Sequence, residues 1–295
     1  MQRKTLVKPD GRSLHLYSRT EITSDPAPSP GAEALHPNPH LRWHPLRAEW
    51  VTYAAQRQSR PFLPPSDYNP LAPTTNPAFP TELPQGDYEI AVFDNRFPSL
   101  ALGAHDPPDS ITPTAAGIGH CEVVVFSQDA SDSLSKMSLG KLELLIEVWT
   151  ERYLAIGAID AIEYVMPFEN RGVEMGVTLH HPHGQIYAYD HVPPVPAREL
   201  EQQQRFFDLH GRGLLEEIIA QELESLDRLV ARAPSVIAFI PAFARYPFEV
   251  WIAPIRAAAS LAALTDEERK DLAVVLKTVL LKFDHLFESD RKSVV

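Results

Sequence analysis

The run His180-His181-Pro182-His183-Gly184-Gln185 places imidazoles beside a glycine and a primary amide, between a glycine-containing turn and an apolar strand. Histidine can attack phosphorus and carry a phosphoryl or nucleotidyl group, which splits one difficult transfer into two easier ones. His183 is the candidate nucleophile. Its attacking nitrogen must be unprotonated, and its other nitrogen needs an acceptor to fix the tautomer. A carbonyl in the tight turn would serve. Gly184 allows a close backbone approach to a phosphate. Gln185 can donate to a phosphate oxygen without adding charge, and Thr178 can do the same.

The elements that must position these groups are legible in outline. Residues 1–40 are polar and turn-rich, with DPAPSPG and HPNPH, and read as an irregular arm. Residues 61–84 are crowded with proline and read as a long irregular connection, a kind of loop that is often functional. Tyr88–Phe93 and Cys121–Phe126 read as strands, the second rich in β-branched residues. Apolar residues at Leu139, Leu142, Leu145, Ile146, Trp149 and Tyr153 recur at helical spacing, predicting a helix over 138–156. Ile162–Met166, Gly176–Leu179 and Ile186–Tyr189 read as further strands. Beyond them, 197–232 is expected to be helical with a break near Gly211 and Gly213. Val236–Ile240 and Phe248–Ala253 read as paired strands. Thr265 and Glu268 form a capping box that opens a last helix carrying Leu272, Val275, Leu276, Val279 and Phe283. Strand, strand and helix recur in both halves, which suggests two related α+β units with the second incomplete.

The 295 residues suffice for one large domain or two small ones, and 44 % hydrophobic with 22 % charged residues suits a globular chain. A net charge of −12 with no basic stripe argues against a general nucleic-acid role. Cys121 is the single cysteine, so neither an intrachain disulfide nor a cysteine-rich zinc site can form. The N-terminus lacks the apolar core of a signal peptide, and no run of about 20 apolar residues could span a bilayer. A cytoplasmic location, with no membrane partner, is expected.

Phe168-Glu169-Asn170-Arg171-Gly172, then Met175-Gly176, then His181-Pro182-His183-Gly184-Gln185 resembles the central signature of the galactose-1-phosphate uridylyltransferase family, within the histidine-triad superfamily. Arg42, Pro45, Leu46, Trp50, Arg57 and Arg60 resemble its N-terminal segment, Asn95 and Phe97 its nucleotide-contact segment, and Phe126-Ser127 with the following helix also fits. Tyr246-Pro247-Phe248-Glu249 and Leu264–Phe287 match in the second half. The resemblance implies two histidine-triad-like units, antiparallel sheets with covering helices, over 41–196 and 197–295, after the arm at 1–40. It implies a ping-pong exchange. His183 would attack the α-phosphorus of UDP-glucose and release glucose 1-phosphate, and galactose 1-phosphate would then take the uridylyl group. Gln185 and Thr178 match positions that hold phosphate oxygens, Arg57 and Arg60 a phosphate-contacting segment, Asn170 a position beside the α-phosphate, and Asn95 and Phe97 positions that hold the nucleoside. A homodimer whose active site is completed by the neighbouring subunit is also implied.

Two departures accompany the resemblance. Many family members bind zinc through two cysteines and two histidines, whereas here Asn69, Ala72 and Ala130 stand at three of those positions and only His181 remains. One imidazole cannot make a tetrahedral structural zinc site, so no cofactor is expected there. His181 is expected to hydrogen-bond instead. Family members also continue past this C-terminus with strands that carry a His-x-His pair of a second metal site and residues that hold the hexose phosphate. Glu199 resembles the carboxylate ligand of that site without its partners, so the second unit is expected to be shortened. A related transferase or phosphorylase with another nucleotide donor, and a non-catalytic UDP-sugar-binding remnant, stay open as alternatives.

Overall fold

The lead-in, expected to be irregular, instead supplies the edge of the main sheet. In the computed structural model, which describes residues 1–59, 68–172, 175, 177 and 179–286, strands β1 (Gln2–Val7) and β2 (Ser13–Ser18) pair antiparallel around a turn in which Gly11 takes φ 84°. The Asp10-Gly11 pair is an ordinary hairpin signal, and Leu14 and Leu16 alternate with polar residues, as a strand with one buried face requires. Its neighbours are β7 (Ile90–Asp94), β9 (Gly119–Val125), β11 (His183–Tyr189) and β10 (Tyr164–Phe168), in the order β1-β2-β7-β9-β11-β10 with every pairing antiparallel. β11 begins at His183 itself, so the last three residues of the histidine run lie in the strand rather than in a turn before it. Of Gly176–Leu179, only Val177 and Leu179 are described, and neither is in a strand.

One face of this sheet is covered by irregular chain. Leu14, Leu16, Ala91, Phe93 and Val125 form a buried cluster with Leu71 and Leu83 from the proline-rich connection and with Tyr88, which follows it. Proline removes backbone donors but leaves carbonyls to be satisfied. Those of Pro70, Pro80 and Pro84 accept from Glu82 N, the Tyr68 hydroxyl and the Tyr88 hydroxyl at 2.9, 3.1 and 2.9 Å. Thr81 Oγ1 donates to the Ala72 carbonyl at 2.6 Å. Two short strands, β3 (Thr23–Ser24) and β6 (Gly86–Asp87), pair beside it. A separate three-stranded sheet was not foreseen: β4 (His40–His44) lies between β5 (Glu49–Tyr53) and β8 (Thr114–Ala116). Its Leu41 packs with Leu100, Cys121, Tyr187 and Tyr189.

Helix α1 (Leu139–Gly157) matches the expected span within a residue. Among the described residues two compact units emerge, one drawn from 1–133 and 152–192, the other from 134–151 and 193–286. In the second, α2 (Pro194–His210) ends at Gly211 in the left-handed region, and α3 (Leu214–Ser225) follows. The expected helix does not continue to 232: Leu229–Arg232 is strand β12, which pairs with β13 (Val236–Phe239), and that in turn with β14 (Trp251–Pro254). β13 is buried on both faces. Val236 and Ala238 pack on Val275 and Val279 of α4 (Asp266–Leu286), while Ile237 and Phe239 pack on Ile219 of α3. The capping box forms as expected, with Thr265 N donating to Glu268 Oε2 at 2.8 Å and Glu268 N to Thr265 Oγ1 at 3.2 Å. No described helix is long and apolar enough to cross a membrane.

Candidate active site

Alternation along β11 sends His183, Gln185, Tyr187 and Tyr189 to one face and the buried Gly184, Ile186 and Ala188 to the other. His183 Nδ1 lies 2.7 Å from the His181 carbonyl. A carbonyl only accepts, so Nδ1 carries the proton, and in the neutral ring the lone pair belongs to Nε2. The acceptor required of the turn is therefore the residue two positions earlier. His181 is itself buried and fixed at both nitrogens. Nε2 donates to the Ser127 carbonyl at 2.6 Å, and Nδ1 accepts from the Asn69 amide at 2.9 Å. The Asn69 amide is oriented in turn, because its oxygen accepts from Leu71 N at 3.0 Å.

Gly184 has a packing reason in this structure. A Cβ there would come within 2.7 Å of both the Phe126 ring and the Phe168 carbonyl, so only glycine lets β11 lie this close to them.

Gln185 is joined to the segment after β7. Asn95 Nδ2 donates to Gln185 Oε1 at 3.5 Å, Asn95 Oδ1 accepts from Phe97 N at 2.9 Å, and Asn95 N donates to the Cys121 carbonyl at 2.8 Å. The Gln185 amide thus presents its NH2 group as a donor elsewhere. Arg57, in a 3-10 turn at Ala55–Ser59, donates Nη1 to the Phe97 carbonyl at 2.8 Å, and Gln56 of the same turn donates to the Pro98 carbonyl at 3.0 Å. Arg57 therefore holds the segment that carries Asn95 and Phe97. Asn170 lies exposed two residues past the Phe168–Gln185 pair, at the His183 end of the sheet. Arg60 and Thr178 lie outside the described residues. Glu199 is exposed on α2, and Ala130 is exposed beyond β9.

Sequence reasoning missed a charged group on the opposite face of the sheet. His120 Nε2 lies 3.3 Å from Glu122 Oε1 and 3.4 Å from Asp94 Oδ1, while Arg152 Nε and Nη2 grip both oxygens of Glu122 at 3.0 and 2.6 Å. Burial opposes charge on His120, but its bonds to Asp94 and Glu122 prevail and hold its pKa up at about 9. Burial likewise works against Glu122 and Asp94. The bonds from His120 and Arg152 in one case, and from His120 and Ser13 in the other, keep both below the usual carboxylate range. Asp94, His120 and Glu122 bring ligand atoms within 4.8 Å of one another, as a cation would require, yet Arg152 and the His120 proton already neutralise both carboxylates. The signal in the sequence was an acid, Glu122, inside the otherwise apolar run Cys121–Phe126. Burial pushes the Cys121 thiol up to about 11, so it is a poor nucleophile at neutral pH.

Profile comparison matches residues 32–193 to the N-terminal domain of galactose-1-phosphate uridyl transferase and residues 199–293 to its C-terminal domain. The chain belongs to the galactose-1-phosphate uridyl transferase family. This is a family of nucleotidyltransferases, and its members are well represented among the relatives. A galactose-1-phosphate uridylyltransferase from Thermotoga maritima is 34 % identical over 256 residues, 85 % of this chain and 77 % of that one. Its counterpart from Rattus norvegicus is 35 % identical over 265 residues, 85 % and 69 %. Among solved structures, a uridylyltransferase superposes with a TM-score of 0.74 at 28 % identity, over 84 % of this chain and 76 % of the other. An ADP-glucose phosphorylase from Arabidopsis thaliana with bound ADP-glucose shares the fold, with a TM-score of 0.60 at 24 % identity, over 84 % and 78 %. The uridyl transferase profile begins at residue 32, so the β1–β2 hairpin lies outside it.

Proposed function

We propose that this chain transfers UMP from UDP-glucose to galactose 1-phosphate through a uridylyl group carried on His183. His183 Nε2 attacks the α-phosphorus, an Nε2–P bond forms, and the P–O bond to glucose 1-phosphate breaks with its electron pair leaving on that oxygen. A phosphate oxygen of galactose 1-phosphate then attacks the same phosphorus, the P–N bond breaks, and UDP-galactose leaves with the imidazole restored. The observation that carries this reading is the His183 Nδ1–His181 carbonyl bond, which gives the ring the tautomer a nucleophile needs. The Gln185 NH2 group, turned outward by the bond from Asn95, donates to an α-phosphate oxygen as charge shifts onto it. Thr178 and the Gly184 backbone assist there, Asn170 lies beside the α-phosphate, and Asn95 and Phe97 receive the nucleoside. Arg57 and Arg60 supply cationic donors to phosphate. The two matched domains support two related histidine-triad-like units, and the protein works as a cytoplasmic homodimer.

The zinc of many family members has no place in this mechanism. Ala72 and Ala130 carry no donor atom, and Asn69 and the Ser127 carbonyl occupy the two nitrogens of His181. The residues present do not fit a tetrahedral zinc centre, and Glu199 alone does not make a second one. Elemental analysis should find zinc far below one atom per chain.

The test is intact-protein mass after brief incubation with UDP-glucose, with and without galactose 1-phosphate. A gain of one uridylyl group that disappears with galactose 1-phosphate, and that His183→Ala abolishes, is the expected result. Adduct formation by the folded His183→Ala variant would overturn the mechanism. An adduct from ADP-glucose but not UDP-glucose would reassign the nucleotide, and binding of UDP-glucose without any adduct would make this a binding protein.

A further inference from the structure

The N-terminal hairpin reaches the candidate site through one buried side chain. Arg12 donates Nε to Asp10 Oδ2 at 2.8 Å, Nη1 to the Asp94 carbonyl at 2.9 Å, and Nη2 to Glu82 Oε2 at 2.8 Å and Ser29 Oγ at 3.3 Å. Lys8 Nζ donates to the Glu82 carbonyl at 2.6 Å and pairs with its carboxylate. Lys8, Asp10, Arg12, Ser29 and Glu82 are all buried, and the Phe93 ring lies against both cations. Buried charges are tolerated when each is paired, and removing one member leaves the others uncompensated. Such a cluster favours a single arrangement of the chain segments that meet in it.

Two of those segments lead to the site. Glu82 N donates to the Pro70 carbonyl at 2.9 Å, and the preceding residue is Asn69, whose amide holds His181. The Asp94 carbonyl immediately precedes Asn95, whose amide reaches Gln185, and Ser13 N grips Asp94 Oδ2 at 2.8 Å. We propose that Arg12 is a positioning residue: it ties the proline-rich connection, through Glu82, and the Asp94–Phe97 segment, through the Asp94 carbonyl, to one point in the N-terminal hairpin, and so sets the supports of His183 and Gln185 together. This rests on the reading of those two residues given above. The guanidinium fork suits the task because its donors leave in several fixed directions, whereas a lysine ammonium is a compact point charge that cannot span all four acceptors. The role belongs to a hairpin that the family profile does not include.

The test follows amide hydrogen exchange and uridylyl-adduct formation together in wild type, Arg12→Gln and Arg12→Lys. A core-trimming control in the second unit, Ile237→Val, is compared at matched melting temperature. The amides of Leu71, Glu82, Asn95 and Phe97 are all hydrogen-bonded and report the two segments. In both Arg12 variants their exchange should rise together, by about tenfold or more, while Ile186 to Ala188 stay protected. The adduct should form about tenfold to a hundredfold more slowly at saturating UDP-glucose, and the control should change neither. Arg12→Lys, which keeps the charge, covers the case in which Arg12→Gln does not fold. The proposal is overturned if only one segment loosens, if neither does, or if both loosen while the adduct forms at the wild-type rate. Should wild type itself form no adduct, the functional reading fails, and the exchange pattern alone decides whether Arg12 clamps both segments.

Discussion

Replacing His120 by glutamine should remove one pH-dependent part of the protein's stability. In the native protein the imidazole lies between Asp94 and Glu122, and its pKa is raised to about 9 from the 6.5 of an unstrained ring. A histidine whose folded pKa is raised contributes its full stabilisation below the unfolded value and loses it as pH rises through the folded one. Between those values the unfolded chain has shed a proton that the native protein keeps, so stability falls by about 1.4 kcal/mol per pH unit. Over the 6.5 to 9 interval that amounts to about 3 kcal/mol. Asp94 and Glu122, both held low, slope the opposite way, with their contribution lost only in acid. Urea unfolding of wild type and His120→Gln, followed by fluorescence and circular dichroism from about pH 5.5 to 9.5, isolates the effect because glutamine keeps a polar group without titrating. The wild-type advantage should shrink by about 3 kcal/mol across that range. A constant difference would mean that folding leaves the His120 pKa at its unfolded value, and the inference from its carboxylate neighbours would be wrong.

Gly184→Ala should destabilise by about 1–3 kcal/mol, because its methyl group must displace the Phe126 ring or the Phe168 backbone. Thermal unfolding reads this directly, and an unchanged melting temperature would show that β11 can shift at little cost. Asn69→Ala leaves His181 Nδ1 without its amide donor. It should cost about 1–3 kcal/mol and slow adduct formation on His183, since the His181 carbonyl orients that ring. Loss of stability with an unchanged adduct rate would separate His181 from catalysis.

What could be read from the chain alone was a candidate chemistry; its supports were harder to see. The histidine run announces itself because imidazole, glycine and amide at adjacent positions suit few other tasks. The hairpin at β1 and β2 was hidden by the polar, proline-containing stretch that follows it, although Asp10-Gly11 and the Leu14, Leu16 alternation were present. Lys8, Asp10, Arg12 and Glu82 were invisible as core residues, since charged side chains are ordinarily exposed and only three-dimensional pairing reverses that expectation. β12 was absorbed into the preceding helix because Leu226, Leu229 and Val230 prolong an amphipathic pattern, and only pairing with β13 decides between the two. β8 has three small or hydroxylated residues and no periodicity to read. Arg57 reads as a phosphate-contacting residue by type, while its bond to the Phe97 carbonyl was not legible because it depends on a fold that brings residues 40 positions apart together.

The order of the main sheet bears on solubility. Among the described residues its two outer strands are β1 and β10, each with one side unpaired within the sheet. Such rims invite a stray strand from another molecule unless they are blunted. Here β1 carries Arg3 and Lys4, and β10 contains Pro167, which lacks an amide hydrogen and so deprives an incoming strand of a bond. Both rims are thus poorer templates for cross-molecular ladders than uninterrupted apolar strands would be.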